Sequence, residues 1–255
     1  MSSKQSLSLA TLLTAAALIG LFLLSTDAIS AQPPLSRLRS PIVTAPDKMI
    51  WDAASINPGD ETDADVAYNS QDNEYLVIFE WEDAGGGSGR DIASIVVDAN
   101  GQSALAPNGV ATTDAFTDTH PTVAYNPTDN TYLAVWERAA ATGDSYIQGA
   151  ILHSSGAPSS TFTISYWTGD QRYPDAAYSA TCNCYLVVWE DHWPSWDNRP
   201  DIYGAIVSAS GSILDYESVT GLNAPGNQTR PAVTTNASNG RWMVCLLYTS
   251  PSPRD

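Results

Sequence analysis

One motif recurs along this chain and constrains its fold more than any other feature. A short segment ending in tyrosine, a turn, and an apolar segment ending in glutamate occur at Val66–Glu80, Val123–Glu137 and Ala176–Glu190, and a fourth copy begins at Pro231. The copies follow one another at roughly 55 residues, a period that is typical of stacked supersecondary units. We therefore analyse the chain repeat by repeat.

Each copy predicts four short strands. In the second copy they are Thr122–Tyr125, Tyr132–Glu137, Tyr146–Leu152 and Phe162–Ser165, separated by turns rich in Asn, Pro, Ser and Gly. The second strand is apolar on both alternating faces, which indicates burial on both sides of a sheet. This pattern predicts an all-β protein, a β-propeller of four-stranded antiparallel blades, with three full blades and part of a fourth. An immunoglobulin-like sandwich needs about 100 residues for its strands, and solenoid coils are shorter than this repeat.

Three sequence patterns resemble those of exported bacterial β-propeller repeat proteins. They are P-x-V-A-Y-N at Pro121–Asn126, Y-L-V-V-W-E at Tyr185–Glu190 and D-I-Y-G-x-x-V-x-x-x-G at Asp201–Gly211. The resemblance covers about Lys48–Val244 and implies the fold, without implying an activity. The signature of WD40 blades and the Asp box of sialidases are both missing from the sequence.

The N-terminus predicts export. Lys4 precedes an apolar run from Leu7 to Leu24, and small residues at Ala28–Ala31 offer a cleavage site. We interpret residues 1–31 as a signal peptide, 32–47 as a linker and 48–244 as the partial propeller. An uncleaved membrane anchor is the alternative, because the run approaches the ~20 residues that span a bilayer. After cleavage we expect no membrane insertion, and a secreted, periplasmic or cell-surface location.

The last eleven residues break the repeat. Cys245–Asp255 match, codon by codon, a translation of a widely used transposase sequencing adaptor, and the break falls inside a predicted strand. We therefore predict that residues 245–255 are non-native and leave them out of the fold argument. A divergent native tail is the alternative. We also predict that Met49–Ala54 is the outer strand of a blade completed by C-terminal sequence.

Charge and cysteine content limit the partners. The net charge of -17 disfavours nucleic acid and suits solubility or cation binding. Cys182 and Cys184 flank one residue at a predicted hairpin turn, where a disulfide would close a small ring, and their state is left open. No further Cys or His has the spacing of a metal site in the sequence.

The loops between strands two and three, and the connectors between blades, meet on one face of a propeller, which we call the connector face. Loops on a rigid framework commonly carry function. The most unusual loop runs from Asp191 to Asp197 and contains Trp193 and Trp196. Two flat rings beside carboxylates predict a sugar-binding platform, completed by Asp170 and Arg172 of the adjacent connector; packing of the loop onto its own blade is the alternative.

Acidic residues recur in the connectors at Asp60, Asp118 and Asp170. Their oxygens suggest a calcium site, and turn formation by Asp side chains is the competing and favoured explanation. No other cofactor is indicated.

Three functions remain open from the sequence. The first is an extracellular binding or scaffold module for a glycan or a protein, the second a glycan-active enzyme such as a glycosidase or lyase, and the third a structural surface module. His120, His153 and His192 lie in different repeats, and no nucleophile elbow is present in the sequence. The binding module is the reading that we prefer.

Overall fold

The structure is a computed structural model that describes residues 61–82, 89–102, 106–111, 116–139, 143–193, 199–220 and 226–249. The predicted signal peptide, the linker and the Met49–Ala54 strand lie outside the described residues. Within the described part of the chain, no helix has the length and apolar character needed to cross a bilayer.

The described residues form three four-stranded antiparallel sheets and one two-stranded sheet, each in simple chain order. The first blade contains β1 (Glu61–Asn69), β2 (Glu74–Glu82), β3 (Arg90–Asp98) and β4 (Asn108–Ala111). The second contains β5 (Thr117–Asn126), β6 (Thr131–Ala139), β7 (Ser145–His153) and β8 (Pro158–Ser165). The third contains β9 (Asp170–Ser179), β10 (Cys184–His192), β11 (Asp201–Ser208) and β12 (Ile213–Ser218), and the fourth β13 (Asn227–Thr235) and β14 (Trp242–Thr249).

This architecture confirms the predicted fold class: an incomplete β-propeller of three full blades and part of a fourth. The first strands of successive blades, β1, β5, β9 and β13, lie side by side around the axis. The strand outside β3 is β4, so this position is not taken by Met49–Ala54. Strand β8 begins at Pro158, four residues before the predicted start, because residues 158–161 continue the pairing with β7.

Apolar side chains of the second strands fill the space between neighbouring blades. Leu76 and Ile78 of β2 share one core with Tyr132, Ala134 and Trp136 of β6. The opposite face of β6 packs against β10 and its neighbours in a second core that contains Trp189. Trp136 and Trp189 are both fully buried. Burial on both faces explains why these strands lack polar alternation.

Asparagines cross-link adjacent blades at the turns between the first and second strands. Asn69 Nδ2 donates to Asn130 Oδ1 of the next blade (2.9 Å), and Asn126 Nδ2 donates in the same way to Asn183 Oδ1 (3.0 Å). Asp72 accepts from Asn130 Nδ2 at 2.9 Å. These contacts account for the Asn and Asp residues that the first two copies of the motif share at this turn.

The third blade departs from this turn pattern. Cys182 occupies the place that Asp72 and Asp129 hold in the first two blades, and it forms a disulfide with Cys184. This answers the question that the sequence left open about the state of the pair. The covalent ring takes the place of an acid that elsewhere bonds to a neighbouring blade.

Carboxylates of one blade also accept backbone N–H groups of the following blade. Glu80 Oε1 accepts from His120 N at 2.8 Å, and Glu190 Oε1 accepts from Arg230 N at 2.5 Å. Closer to the turn, Asp65 Oδ2 accepts from Val123 N (2.9 Å) and Asp175 Oδ2 from Val233 N (2.6 Å). The repeated strand-two glutamate is therefore an inter-blade contact.

Residues Cys245–Thr249 extend β14 along β13, with Leu247 and Tyr248 largely exposed. Cys245 is an exposed free thiol. Backbone pairing of this kind does not report the origin of the residues, so the adaptor assignment of residues 245–255 stays a prediction.

Candidate functional site

Each first strand contains one irregularity at the same place, just after the strand leaves the connector face. The pairing shifts there in all four blades, between Thr62 and Asp65 in the first and at the corresponding positions in the others. At the shift stands a non-glycine residue in the left-handed region: Asp63 (φ 41°), His120 (52°), Tyr173 (52°) and Arg230 (51°). We call these four residues the axial cluster.

Left-handed backbone suits glycine and asparagine and is costly for other residues. The other described non-glycine residues with positive φ are the turn asparagines Asn73, Asn130 and Asn183, where the conformation is expected. Tyrosine and arginine in this conformation are therefore unusual, whereas aspartate and histidine adopt it more readily. Strained residues of this kind concentrate at functional sites, at a cost of about 1–3 kcal/mol each.

The axial cluster surrounds a cavity of about 500 Å³ at the centre of the blades. The remaining lining consists mainly of the residues that follow each cluster member, Ala64, Pro121, Pro174 and Pro231, together with Asp175. A volume of this size is typical of small-molecule sites. Small and proline side chains leave the polar cluster residues as the groups that a ligand would meet.

The cluster members contact one another in chain order. His120 Nε2 lies 3.8 Å from Asp63 Oδ2, and the His120 ring packs edge-on against Tyr173 with ring centres 4.5 Å apart. The Arg230 guanidinium stacks over the Tyr173 ring at 3.7 Å. The cavity wall thus runs from an acid through two rings to a cation.

His120 is held by an acid of its own blade. Its Nδ1 lies 3.2 Å from Glu137 Oε2. Nδ1 also lies 3.1 Å from Thr119 Oγ1. The Glu137 carboxylate beside the ring raises the pKa of His120, and the charges of Glu80 and Asp63 act in the same direction against partial burial. The imidazole therefore keeps its proton to a higher pH than a free histidine does.

Glu137 differs in its contacts from the equivalent residues of the flanking blades. Glu80 and Glu190 accept backbone N–H groups of the following blade. Among the described residues, Glu137 has no such bond with Tyr173 and instead lies near His120 and 4.0 Å from Arg172. In the second blade, the glutamate at this repeated position therefore contacts the axial cluster and not the backbone of the following blade.

Two aspartates and a threonine lie beside the cavity. Thr122 Oγ1 donates to Asp65 Oδ2 at 3.0 Å and lies 3.2 Å from Asp175 Oδ1. Burial raises the pKa of Asp175, the charge of Asp65 adds to this effect, and hydrogen bonds from Val233, Ala176 and Thr122 oppose it. Both acids are occupied by bonds that join blades.

The prediction of a tryptophan platform is wrong for Asp191, one of its residues that the structure describes. Trp193 is exposed, but Asp191 is buried, with Oδ2 3.3 Å from Trp189 Nε1, so Asp191 is not available to sugar hydroxyls. The sequence missed this because Asp191 is the last inward position of β10, not the first residue of the loop. Trp196 and Asp197 lie outside the described residues.

Asp170 and Arg172 lie on the strand beside this loop, since Asp170 pairs with His192 and Gln171 with Asp191. They form an ion pair with each other, and Asp170 Oδ1 also accepts from Ser145 N at 3.0 Å. Arg172 further approaches Glu137, which contacts the axial cluster. These two residues therefore connect the loop with the axial cavity.

The acids suggested for calcium are not equivalent. In the second blade Asp118 is paired with Arg138, and in the third blade the equivalent pair is Gln171 with Asp191. Asp118 is therefore equivalent to Gln171, and Asp170 lies one residue away from that position. Asp118 is buried, with Oδ1 2.9 Å from Trp136 Nε1 and 3.4 Å from Arg138 Nε. Asp60 lies outside the described residues. Among the residues that are described, no three acids, histidines or cysteines group as metal ligands.

Analysis of the sequence missed the axial cluster, although a signal for it was present. Comparison of the four internal copies shows Thr before this position in three copies and Pro after it in three, while the position itself changes between Asp, His, Tyr and Arg. A position that changes chemical type in every copy is not held by a repeated packing contact.

Asp191 gives a pH-dependent prediction. Burial raises its pKa from 3.8 to about 6, with hydrogen bonds from Trp189 and Trp193 opposing the rise. Between these values the folded protein holds a proton that the unfolded chain releases, so stability falls as pH rises. We expect Asp191→Asn to gain up to about 3 kcal/mol relative to wild type between about pH 4 and pH 7, measured by urea unfolding. Asp215→Asn, on the surface of the same blade, is the control, and an equal change in both variants would contradict the prediction.

Comparison with known proteins supports the propeller class. No protein-family model and no curated protein sequence matches the chain. Among solved structures, an endo-arabinase from Bacteroides thetaiotaomicron is similar at a TM-score of 0.52 and 14% identity, over 78% of this chain and 75% of that one. A Dyadobacter fermentans protein of unknown function gives 0.52 and 12%, over 73% and 49%.

An N-acetylgalactosamine deacetylase from F. plautii gives a TM-score of 0.49 at 11% identity, over 71% of this chain and 60% of the deacetylase chain. This chain thus spans less than two thirds of the deacetylase and about half of the Dyadobacter protein. Identities this low establish the fold alone: the chain is a β-propeller.

Proposed function

We propose that this protein is an exported propeller that binds a glycan in its axial cavity. The observation that carries the proposal is the axial cluster: four strained residues of four chemical types, brought together from four blades around one cavity. A purely structural module has no need for strained polar residues at its centre. The similarity in fold to an endo-arabinase supports carbohydrate as the ligand class.

The chemistry of the cavity suits a sugar. One face of the Tyr173 ring is covered by the Arg230 guanidinium, and the rest of the ring, with the His120 ring packed against it, offers apolar surface to a pyranose. Asp63 offers an acceptor for hydroxyl groups. The cavity lies toward the connector face, which is the face that the sequence predicted to carry function. The principal site is therefore axial, and the Trp193 loop becomes a possible extension of it.

A second candidate, a glycan-active enzyme, is favoured by one observation. Glu137 lies 3.2 Å from His120 Nδ1, an arrangement that orients an imidazole for proton transfer. If the protein is an enzyme, His120→Asn should abolish turnover of a glycan that the variant still binds. Reducing ends and unsaturated products formed from a polysaccharide panel would measure this.

Two variants distinguish the axial site from the loop. Tyr173→Asn removes the ring but keeps a residue that tolerates the left-handed backbone, and Trp193→Ala removes the exposed loop ring. We expect Tyr173→Asn to weaken binding on a glycan array by about tenfold or more, since aromatic anchors dominate binding energy. Trp193→Ala should have a smaller effect.

Thermal unfolding of both variants is the control for folding. A folded Tyr173→Asn variant that retains wild-type binding would remove the axial cavity from the site. Calcium at the connector face is tested in the same experiment, by repeating the array with calcium and with a chelator.

A further inference from the structure

We propose that the axial cavity selects a sugar that carries a carboxylate, with the guanidinium of Arg230 binding that carboxylate and the Asp63 side of the cavity binding hydroxyls. The inference rests on the proposed glycan site and names the class of sugar that it takes.

The other arginines beside the cavity are already paired with acids. Arg90 pairs with Glu80, and Arg172 pairs with Asp170. The guanidinium of Arg230 is different: it is exposed and stacks on Tyr173, and no carboxylate of the described residues lies within 4.0 Å of it. The backbone N–H of Arg230 donates to Glu190, so this bond holds the main chain and does not involve the guanidinium. A planar guanidinium matches the two oxygens of a carboxylate.

His120 lies between Tyr173 and the acid of the cluster, Asp63, with its Nε2 3.8 Å from Asp63 Oδ2 and its ring packed edge-on against Tyr173. The charged and titratable groups that face it are Glu137, Glu80, Asp63 and Tyr173. Nearby acids, chiefly Glu137, raise the pKa of His120. Both His120 and Arg230 contact Tyr173, so a ligand in the cavity meets an imidazole and a guanidinium.

The charges are arranged in order around the axis. Asp63 of the first blade stands at one end of the cluster and Arg230 of the fourth stands at the other. A pyranose with one carboxylate has the same polarity, with an anionic group on one side and hydroxyls on the rest of the ring. A doubly charged phosphate fits less well, because Asp63 and Asp175 line the same cavity.

The net charge of the whole chain disfavours anionic partners such as nucleic acid, and the local arrangement leads to a different proposal. Charges separated by more than about 8 Å are largely screened at physiological ionic strength. Arg230 and His120 lie against the ligand, whereas most of the -17 charge is distributed over the surface. Local charge therefore governs the choice of sugar.

The test uses calorimetric titration of the full chain with galacturonate, glucuronate and mannuronate oligomers, each paired with its carboxyl-reduced neutral form. We expect at least one acidic oligomer to bind about tenfold or more tightly than its neutral partner, as charge-assisted hydrogen bonds allow. Arg230→Asn should remove this preference, so that the acidic oligomer and its neutral form bind the variant with similar affinity. Arg230→Lys keeps the positive charge but loses the planar guanidinium with its two parallel donors, so this variant should retain part of the preference for the acidic oligomer.

Arg241→Asn is the matched control, because Arg241 is an exposed arginine of the same blade at its opposite end. Equal affinity for acidic and neutral forms, with binding that still depends on Tyr173, would overturn the inference and leave the glycan site standing. Preference for a sulfated sugar over every uronate would overturn it as well. Failure of all oligomers, acidic and neutral, would overturn both proposals.

Discussion

Replacing Trp136 with alanine is expected to lower the free energy of unfolding by about 3–5 kcal/mol. Trp136 is fully buried between the first two blades, where its ring contributes to the shared core. Its Nε1 lies 2.9 Å from Asp118 Oδ1, so the substitution leaves a cavity and also removes a partner of a buried acid. Urea unfolding followed by circular dichroism measures the change.

Two further variants separate these contributions. Trp136→Phe keeps most of the ring and loses the hydrogen bond, so we expect a smaller loss of stability. Trp193→Ala deletes the same side chain from a site that is 52% exposed, and it should cost less than about 1 kcal/mol. Similar losses for Trp136→Ala and Trp193→Ala would contradict the assigned packing of β6 between blades.

The second large effect is expected at Glu80. This carboxylate is 1% exposed, and it accepts bonds from His120 N, Thr62 and Arg90. Glu80→Ala leaves these donors without their acceptor, which we expect to cost about 2–4 kcal/mol. Since one of them fixes the backbone of His120, glycan binding in the axial cavity should fall as well. Glu82→Ala, two residues along the same strand and exposed, is the control for both measurements.

Glu80 also makes the free energy of unfolding sensitive to acid. Burial alone would raise the pKa of Glu80, but hydrogen bonds from His120, Thr62 and Arg90, with the charge of Arg90, lower it below 4.5. Its contribution is therefore complete above about pH 4.5 and is lost as pH falls through the lowered value. Wild type should lose more stability than Glu80→Ala over this acid range. Parallel pH profiles would show that Glu80 is not the group responsible.

Most of the fold was predictable, because comparing the internal repeats with one another shows where each strand lies. The two-sided apolar pattern of β6 and β10 identified the strands that lie between blades, and the Asn-rich turns marked where they begin. Asp118 shows where the same reasoning failed. Aligning it with Asp170 by composition placed it one register position away from its true equivalent, Gln171, and in a strand such a shift changes the face of the sheet.

The site was less predictable for a related reason. Unusual composition drew attention to the loop from Asp191 to Asp197, whereas the axial cluster consists of ordinary residues that are distinguished by backbone conformation and by position around the axis. The backbone N–H of His120 and that of Arg230 each donate to a carboxylate of the preceding blade, 40 residues earlier in the chain. Such long-range contacts leave little trace in a local pattern.

Four of the inter-blade bonds share a direction, and this has a consequence for biosynthesis. In the bonds from Glu80, Asp65, Glu190 and Asp175, the carboxylate lies in the earlier blade and the N–H in the later one. The bond from Ser145 N to Asp170 runs the other way. At the four sites a growing chain makes the acceptor before the donor, so a pause between blades leaves a hydrated carboxylate there and not an unpaired amide, and the new first strand can bond to a blade that is already folded.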